Sequence, residues 1–233
     1  MNVPVLALKL DVACEAQWRT MAQRAIERFG RIHMLVNNAG VSGETGPLET
    51  QESTGWQWTI DVNLMAVFVG SKVVVPLIKS HGEGGWLINV ASMAGMAGLP
   101  LGGAYSATKF AVVGLSESWA LEFKADNIKV SVLCPAFVKT RIHASERNRP
   151  ERYPSEKAKP RVPDHTEDSK KRLVEGGIDV AIVGKRTVEA LKSGEFYIFT
   201  HPQYRTVLQK RADEIDAAME RAEQSALLQD IGN

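Results

Sequence analysis

Residues 87–92 read Leu-Ile-Asn-Val-Ala-Ser, and beyond a glycine-rich connector residues 102–110 read Gly-Gly-Ala-Tyr-Ser-Ala-Thr-Lys-Phe. An apolar run closed by Ser92, then an apolar pattern continuing through Leu115 and Trp119 to Leu121, predicts strand, loop and helix. On a helix, the i,i+4 spacing puts Tyr105 and Lys109 on one face. A phenol with an ordinary pKa of about 10 is a poor base near neutrality, and an ammonium beside it favours the phenolate. The pair therefore fits proton transfer at an alcohol or ketone. Spacing alone is weak, since Tyr153 and Lys157 repeat it. Pro154 disfavours a helical Tyr153, and the stretch around it is rich in Pro and charge, so that copy is set aside.

Working outward, Val3 to Asp11 reads as a strand, Glu15 to Phe29 as an amphipathic helix ended by Gly30, and Ile32 to Val36 as a second, apolar strand closed by Asn37-Asn38-Ala39-Gly40. A long helix follows, starting near Ser53 or Thr54 and reaching about Ser80, and then the strand Trp86 to Val90. Ile128 to Leu133 is a further β-rich run. Strands alternating with helices predict an α/β fold with a Rossmann-like, doubly wound parallel sheet. In such sheets function sits at the carboxyl ends of the strands, here Asp11, Asn37 to Gly40, Ser92 and Pro135.

The chain has 233 residues with 44% hydrophobic content, enough for one substantial core, so a single domain over 1–233 is expected. A net charge of +1 and a pI near 7.8 give no footprint for nucleic acid or an anionic membrane surface. Cys14 and Cys134 lie in apolar surroundings and read as buried thiols of a reducing compartment. Ile60 to Ile78 is apolar enough to raise the question of a membrane span, but Asp61, Asn63, Lys72 and Pro76 interrupt it, favouring a buried helix. With no secretory signal at its start, the chain is expected to be soluble and cytoplasmic. His81, His143, His165 and His201 show no ligand spacing, so no metal is expected.

Asn-Asn-Ala-Gly after a strand, Asn63 within a long helix, Ser92, Tyr105 with Lys109, and Pro135 followed by Val138 and Thr140 together resemble the short-chain dehydrogenase/reductase family, over roughly residues 3–141. The resemblance implies an NAD(P)-dependent oxidoreductase interconverting a secondary alcohol and a ketone, with NAD or NADP as cofactor. It implies a catalytic set of Asn63, Ser92, Tyr105 and Lys109. Tyr105 would be the general acid/base, Lys109 would lower its pKa and bond the nicotinamide ribose, and Ser92 would hold the substrate oxygen. Asn63 would kink its helix and free a carbonyl for a proton-relay water. Asn38, Ala39 and Gly40 would pack against the cofactor, with Tyr105, Lys109, Pro135 and Val138 beside it and Thr140 on the carboxamide. Asp11 and Val12 would meet the adenine ring, although Asp11 could equally cap the helix at Glu15.

Two departures from the family pattern stand out. Pro135-Ala136 replaces the usual Pro-Gly, a change of one methyl group. More seriously, no Gly-x-x-x-Gly-x-Gly turn precedes Asp11, and the fold is expected to be truncated at its N-terminus, without the first two strands and the phosphate-binding turn. In a 3-2-1-4-5 strand order the gap would leave the first strand roughly 14 Å from its nearest partner, with unpaired backbone on both sides. A truncated reading of a longer enzyme is one expectation. A catalytically inactive remnant, keeping only the helical oligomerisation surface around Val67 and Val113, is the alternative.

Beyond Thr140 the chain turns rich in Arg, Glu, Lys and Pro. Residues 141–175 read as a mobile segment, which the family resemblance implies is the substrate lid, and 203–226 as a charged C-terminal helix. The closing Phe-Tyr-Ile-Phe-Thr-His-Pro is similar to a branch of the family that includes dehydrogenases for benzylic secondary alcohols in aryl ether breakdown. A homodimer or homotetramer through the long helices is expected.

Overall fold

The computed structural model describes residues 3–155 and 171–228. Four parallel strands form one sheet in the order β1 (Met34–Asn37), β2 (Gly85–Val90), β3 (Ile128–Cys134), β4 (Tyr197–Phe199). Helix α1 (Glu15–Phe29) precedes β1, α2 (Ser53–Ile60) and α3 (Ala66–Lys79) lead from β1 to β2, and α4 (Gly103–Glu122) leads from β2 to β3. Helix α5 (Val180–Ser193) precedes β4. Residues 1–200 make one compact unit; residues 201–233 make a second, built on α6 (Arg205–Glu223).

Local chemistry accounts for most boundaries. Gly30, at φ 84°, adopts the positive angle that ends α1 and bonds back to the Ile26 carbonyl. Asp179 caps α5 by accepting from the Ala181 N–H, and Gly194 closes it in the left-handed region. The long helix is not continuous: a π turn at Asp61–Met65 separates α2 from α3, with Asn63 at its middle. Ser53–Lys79 as a whole is long and apolar enough to cross a membrane, yet Val74 and Ile78 are among its residues buried in the core.

The core has two faces. Trp18 of α1 and Val73, Val74 and Ile78 of α3 pack on Leu35, Leu87 and Val130, while Val112 and Val113 of α4 pack with Val67, Ala91, Val132 and Cys134. Alternation along a strand turns Val90 and Leu133 to the opposite side, where Ala190 and Leu191 of α5 meet them. On β1 that side stays open, with Met34 and Val36 exposed. Val67 and Val113 are themselves interior residues at 3% and 7% exposure, while Phe68 and Leu121 of the same two helices are exposed at 42% and 80%.

The predicted strand Val3 to Asp11 is not one. Among the described residues no strand pairs with it, and a strand exists only through its ladder. Residues 3–10 run irregularly, with Leu6, Leu8 and Leu10 lining a cleft of about 290 Å³ together with Trp18, Met21, Phe29, Leu35 and Val36. The expected mobile segment is also more ordered than its composition implies: Ile142–Asn148 is helical, and residues 149–155 are tied down as described below. Positions 156–170 of the predicted lid lie outside the described residues.

Close packing fixes the glycine in the middle of α3. A Cβ on Gly70 would lie 2.8 Å from Asn37 Oδ1 and 2.9 Å from the Trp18 ring, whereas one on Gly114 would meet nothing within 4 Å. Gly70→Ala should therefore lose about 1–3 kcal/mol by overpacking, and Gly114→Ala, in the exposed face of α4, should gain roughly 0.5–1 kcal/mol. Urea unfolding of the two variants tests this, and equal midpoints would contradict the packing described.

Candidate active site

The sheet register brings the functional candidates together. Asn37 pairs with Asn89 and Val90 with Leu133, so β1, β2 and β3 end level and their following residues converge. Ser92 lies two residues past β2; its hydroxyl donates to the Pro135 carbonyl at 3.3 Å and accepts from the Ala94 N–H at 3.1 Å. The Met93 N–H also bonds the Pro135 carbonyl, at 2.9 Å, seating the β3 end against the Ser92 turn.

Tyr105 and Lys109 enter from the first turns of α4. Tyr105 is half-buried; removal from water pushes its phenol above the ordinary 10, and a hydrogen bond with Ser92 pulls the other way. Lys109 is 4% exposed and its Nζ lies 5.6 Å from the centroid of the Tyr105 ring. Instead of touching the phenol hydroxyl it donates to the Val90 carbonyl at 2.8 Å. The direction expected for Tyr105 from its lysine neighbour is thus reversed here, because burial outweighs an ammonium turned to the backbone. Burial also lowers Lys109 itself, from 10.5 to about 8. Beside it, Cys134 is fully buried and its thiol is pushed up to about 12.

Asn63, fully buried, clamps the loop after β1. Its Oδ1 accepts from the Val41 N–H at 2.8 Å, and its Nδ2 donates to the Val41 carbonyl at 3.0 Å and toward Thr108 Oγ1 at 3.4 Å. The Thr108 hydroxyl in turn donates to the Tyr105 carbonyl at 2.8 Å. Asn63 therefore joins the β1 loop to the turn of α4 carrying Tyr105 and Lys109. Gly40 fits the gap: a Cβ there would sit 3.5 Å from Asn63 Oδ1 and 3.8 Å from Lys109 Nζ. Asn38 and Ala39 are exposed just before it.

The remaining candidates lie further out. Val138 forms a bridge with Ile178, so the 141–175 segment leaves and returns at adjacent points. Thr140 is exposed and accepts from the Ile142 N–H at 3.4 Å. Val12 is half-buried against the α1–α3 core. Asp11 does not cap α1, whose N-cap Cys14 makes no side-chain bond. Its carboxylate accepts from the Ala13 N–H at 3.1 Å and takes a bidentate pair from Arg152 at 2.6 and 3.1 Å. Those Arg152 bonds hold the Asp11 carboxyl below its ordinary range, against the effect of partial burial.

Sequence reasoning missed two features. One is a buried polar chain in which Asn37 Nδ2 donates to Asn89 Oδ1 and Ser71 Oγ, and Asn89 Nδ2 donates to Ser116 Oγ. An asparagine inside the apolar run Leu87 to Val90 was its signal. The other is the Arg149–Tyr153 strap: Arg149 stacks 5.5 Å over the Trp58 ring, and Tyr153, buried beside Val41, Trp58 and Val62, donates to Asp61 at 2.7 Å. A separate cleft of about 360 Å³ opens near Trp86, Lys129 and Gly194, at the amino ends of the strands and away from the candidates.

Comparison with known proteins places this geometry. The short chain dehydrogenase family model matches residues 2–151. A CLA biosynthesis dehydrogenase/reductase of Lactiplantibacillus plantarum is 33% identical over 225 residues, 91% of this chain and 75% of the relative. A 3-alpha-(or 20-beta)-hydroxysteroid dehydrogenase of Mycobacterium tuberculosis is 44% identical over 131 residues, 56% of this chain and 50% of that protein. A short-chain dehydrogenase/reductase from Burkholderia phymatum, solved in complex with NAD, superposes with a TM-score of 0.87 at 35% identity, over 91% of this chain and 76% of that one. The chain belongs to the short-chain dehydrogenase family. It is an α/β oxidoreductase of Rossmann-like fold, shorter than these relatives.

The buried lysine carries a pH signature. Between about 8 and 10.5 the folded chain holds fewer protons at Lys109 than the unfolded one, so this group makes stability rise as pH climbs through that window. Urea midpoints compared at about pH 7.5 and about pH 10 should increase more in the native chain than in Lys109→Met. An equal change in both would refute the depressed lysine.

Proposed function

We propose that this chain interconverts a secondary alcohol and a ketone with NAD or NADP, using Tyr105 as general acid/base. The observation that carries the reading is the convergence at the level ends of β2 and β3: Ser92 seated on the Pro135 carbonyl, Lys109 buried on the Val90 carbonyl, and Asn63 linked through Thr108 to the turn that carries Tyr105. In reduction the Tyr105 hydroxyl gives its proton to the ketone oxygen; in oxidation the phenolate takes the proton of the alcohol. Ser92 donates to the same oxygen, where negative charge develops. Lys109, its Nζ 5.6 Å from the Tyr105 ring centroid, offers a donor for a ribose hydroxyl, and Asn63 fixes the loop that bounds the site. When bound, the nicotinamide supplies or accepts the hydride.

The residues fit the nicotinamide end of such a cofactor. Gly40 leaves room for close approach between Asn63 and Lys109, Asn38 and Ala39 precede it on the same loop, Pro135 follows β3, and Val138 and Thr140 lie further out. The adenine end fits less well, since Asp11 is already engaged by Arg152. That engagement, with the open side of β1, is what favours the second reading, an inactive remnant. Residues 141–175 serve as substrate lid in the first reading. A small-molecule alcohol or ketone is the substrate, the location cytoplasmic, and the assembly a homodimer or homotetramer.

Tyr105→Phe should reduce turnover at least 10²-fold while leaving cofactor affinity nearly unchanged, because only the transferred proton is lost. Nicotinamide fluorescence titration of the native chain and the variant, beside steady-state rates on a panel of secondary alcohols, measures both. Substantial residual turnover would remove Tyr105 from its role, and absence of saturable cofactor binding by the native chain would support the remnant.

A further inference from the structure

None of the 19 residues of α6 is buried. Five of its eight apolar residues, Leu208, Ala212, Ile215, Met219 and Ala222, nevertheless follow one another at alternating steps of four and three, with Val207, Ala217 and Ala218 beside that line. That is the seam by which one helix packs along another. At its middle, Ile215 is 48% exposed and Met219 59%.

The charges are arranged against the helix itself. Arg205, Lys210 and Arg211 lie in the stretch 205–211, and Asp213, Glu214, Asp216, Glu220 and Glu223 in the stretch 212–223, with Arg221 the one base among them. A helix dipole favours acids at the N-terminus and bases at the C-terminus, so this pattern weakens α6 alone. The Lys210–Glu214 pair within it, at 3.9 Å, also has the less favourable orientation. An isolated helix only a few residues beyond about 15 is marginal in water even without such opposition.

A partner helix running the other way reverses each of these costs. Its acidic half lies beside the basic half of α6, its dipole opposes that of α6, and the two apolar seams cover each other, with Ala212 and Ala222 allowing close approach. A parallel copy would set like halves together. We infer that α6 is a self-association surface whose occupant is α6 of a second copy of this chain, antiparallel to the first.

Sedimentation of the full chain tests it. The native chain should sediment as a dimer or a multiple of one, and Ile215→Asp should weaken that association at least tenfold, with far-UV circular dichroism unchanged. Met219→Lys provides the same test should Ile215→Asp misfold. In a Cys14→Ser background, mixing Leu208→Cys with Ala222→Cys chains should give a mixed disulfide under mild oxidant, and Leu208→Cys alone should give none. A monomeric native chain overturns the proposal, as does an association indifferent to both seam variants. Self-crosslinking of Leu208→Cys, the mark of a parallel pair, overturns it too.

Discussion

A lysine ammonium buried at the end of a parallel sheet is the constraint around which the rest of the molecule is arranged. An uncompensated charge in the interior costs several kcal/mol, and Lys109 has one close backbone acceptor, the Val90 carbonyl. That acceptor is in place only because β2 ends where it does, level with β3. The pairing of Val90 with Leu133 thus serves the site as much as the fold. Partial loss of the charge, with the pKa drawn down to about 8, is the remaining compensation. Cys134 cannot share it, since burial keeps the thiol protonated.

Much of this was legible in the residues, and the exceptions share a cause. Gly30 marked the end of α1 because a positive φ is local chemistry, and β2 and β3 were visible as apolar runs because a central parallel strand is buried on both faces. Asn63 stood out as a polar residue in an apolar helix, and the π turn there is the backbone's response. Val3 to Asp11 failed because alternation in sequence reports what a segment would do beside a neighbour, not whether the neighbour exists. Val67 and Val113 read as surface positions but lie in the core, because the apolar stripe of a buried helix does not say which side faces the sheet and which faces outward.

The Arg149–Tyr153 strap was hidden for another reason. Its composition is that of a loop, and its stabilising contacts come from Asp11, Trp58 and Asp61, far away in sequence. Only Tyr153 contributes substantial apolar burial, and its hydroxyl stays paired as a buried phenol must. Arg149, held between the Trp58 face and the Glu52 carboxylate, covers apolar surface with its stem while its charge is satisfied. A charged, proline-rich segment becomes ordered here because Arg149 and Arg152 each meet a specific carboxylate.

The two ends of the candidate site therefore rest on different foundations. Ser92, Tyr105 and Lys109 come from consecutive elements, β2 and α4, packed through Ala91, Val112 and Val113 into a continuous core. Asn63 adds the β1 loop to the same block by three hydrogen bonds. Asp11, by contrast, ends a segment with no ladder, and its side-chain ion pair is with Arg152, whose own side chain is 46% exposed. An exposed pair of this kind contributes at most about 1 kcal/mol. The residues proposed for proton transfer thus lie in the stable part of the molecule, whereas Asp11, proposed for the far end of a dinucleotide, is held by contacts weak enough to be exchanged.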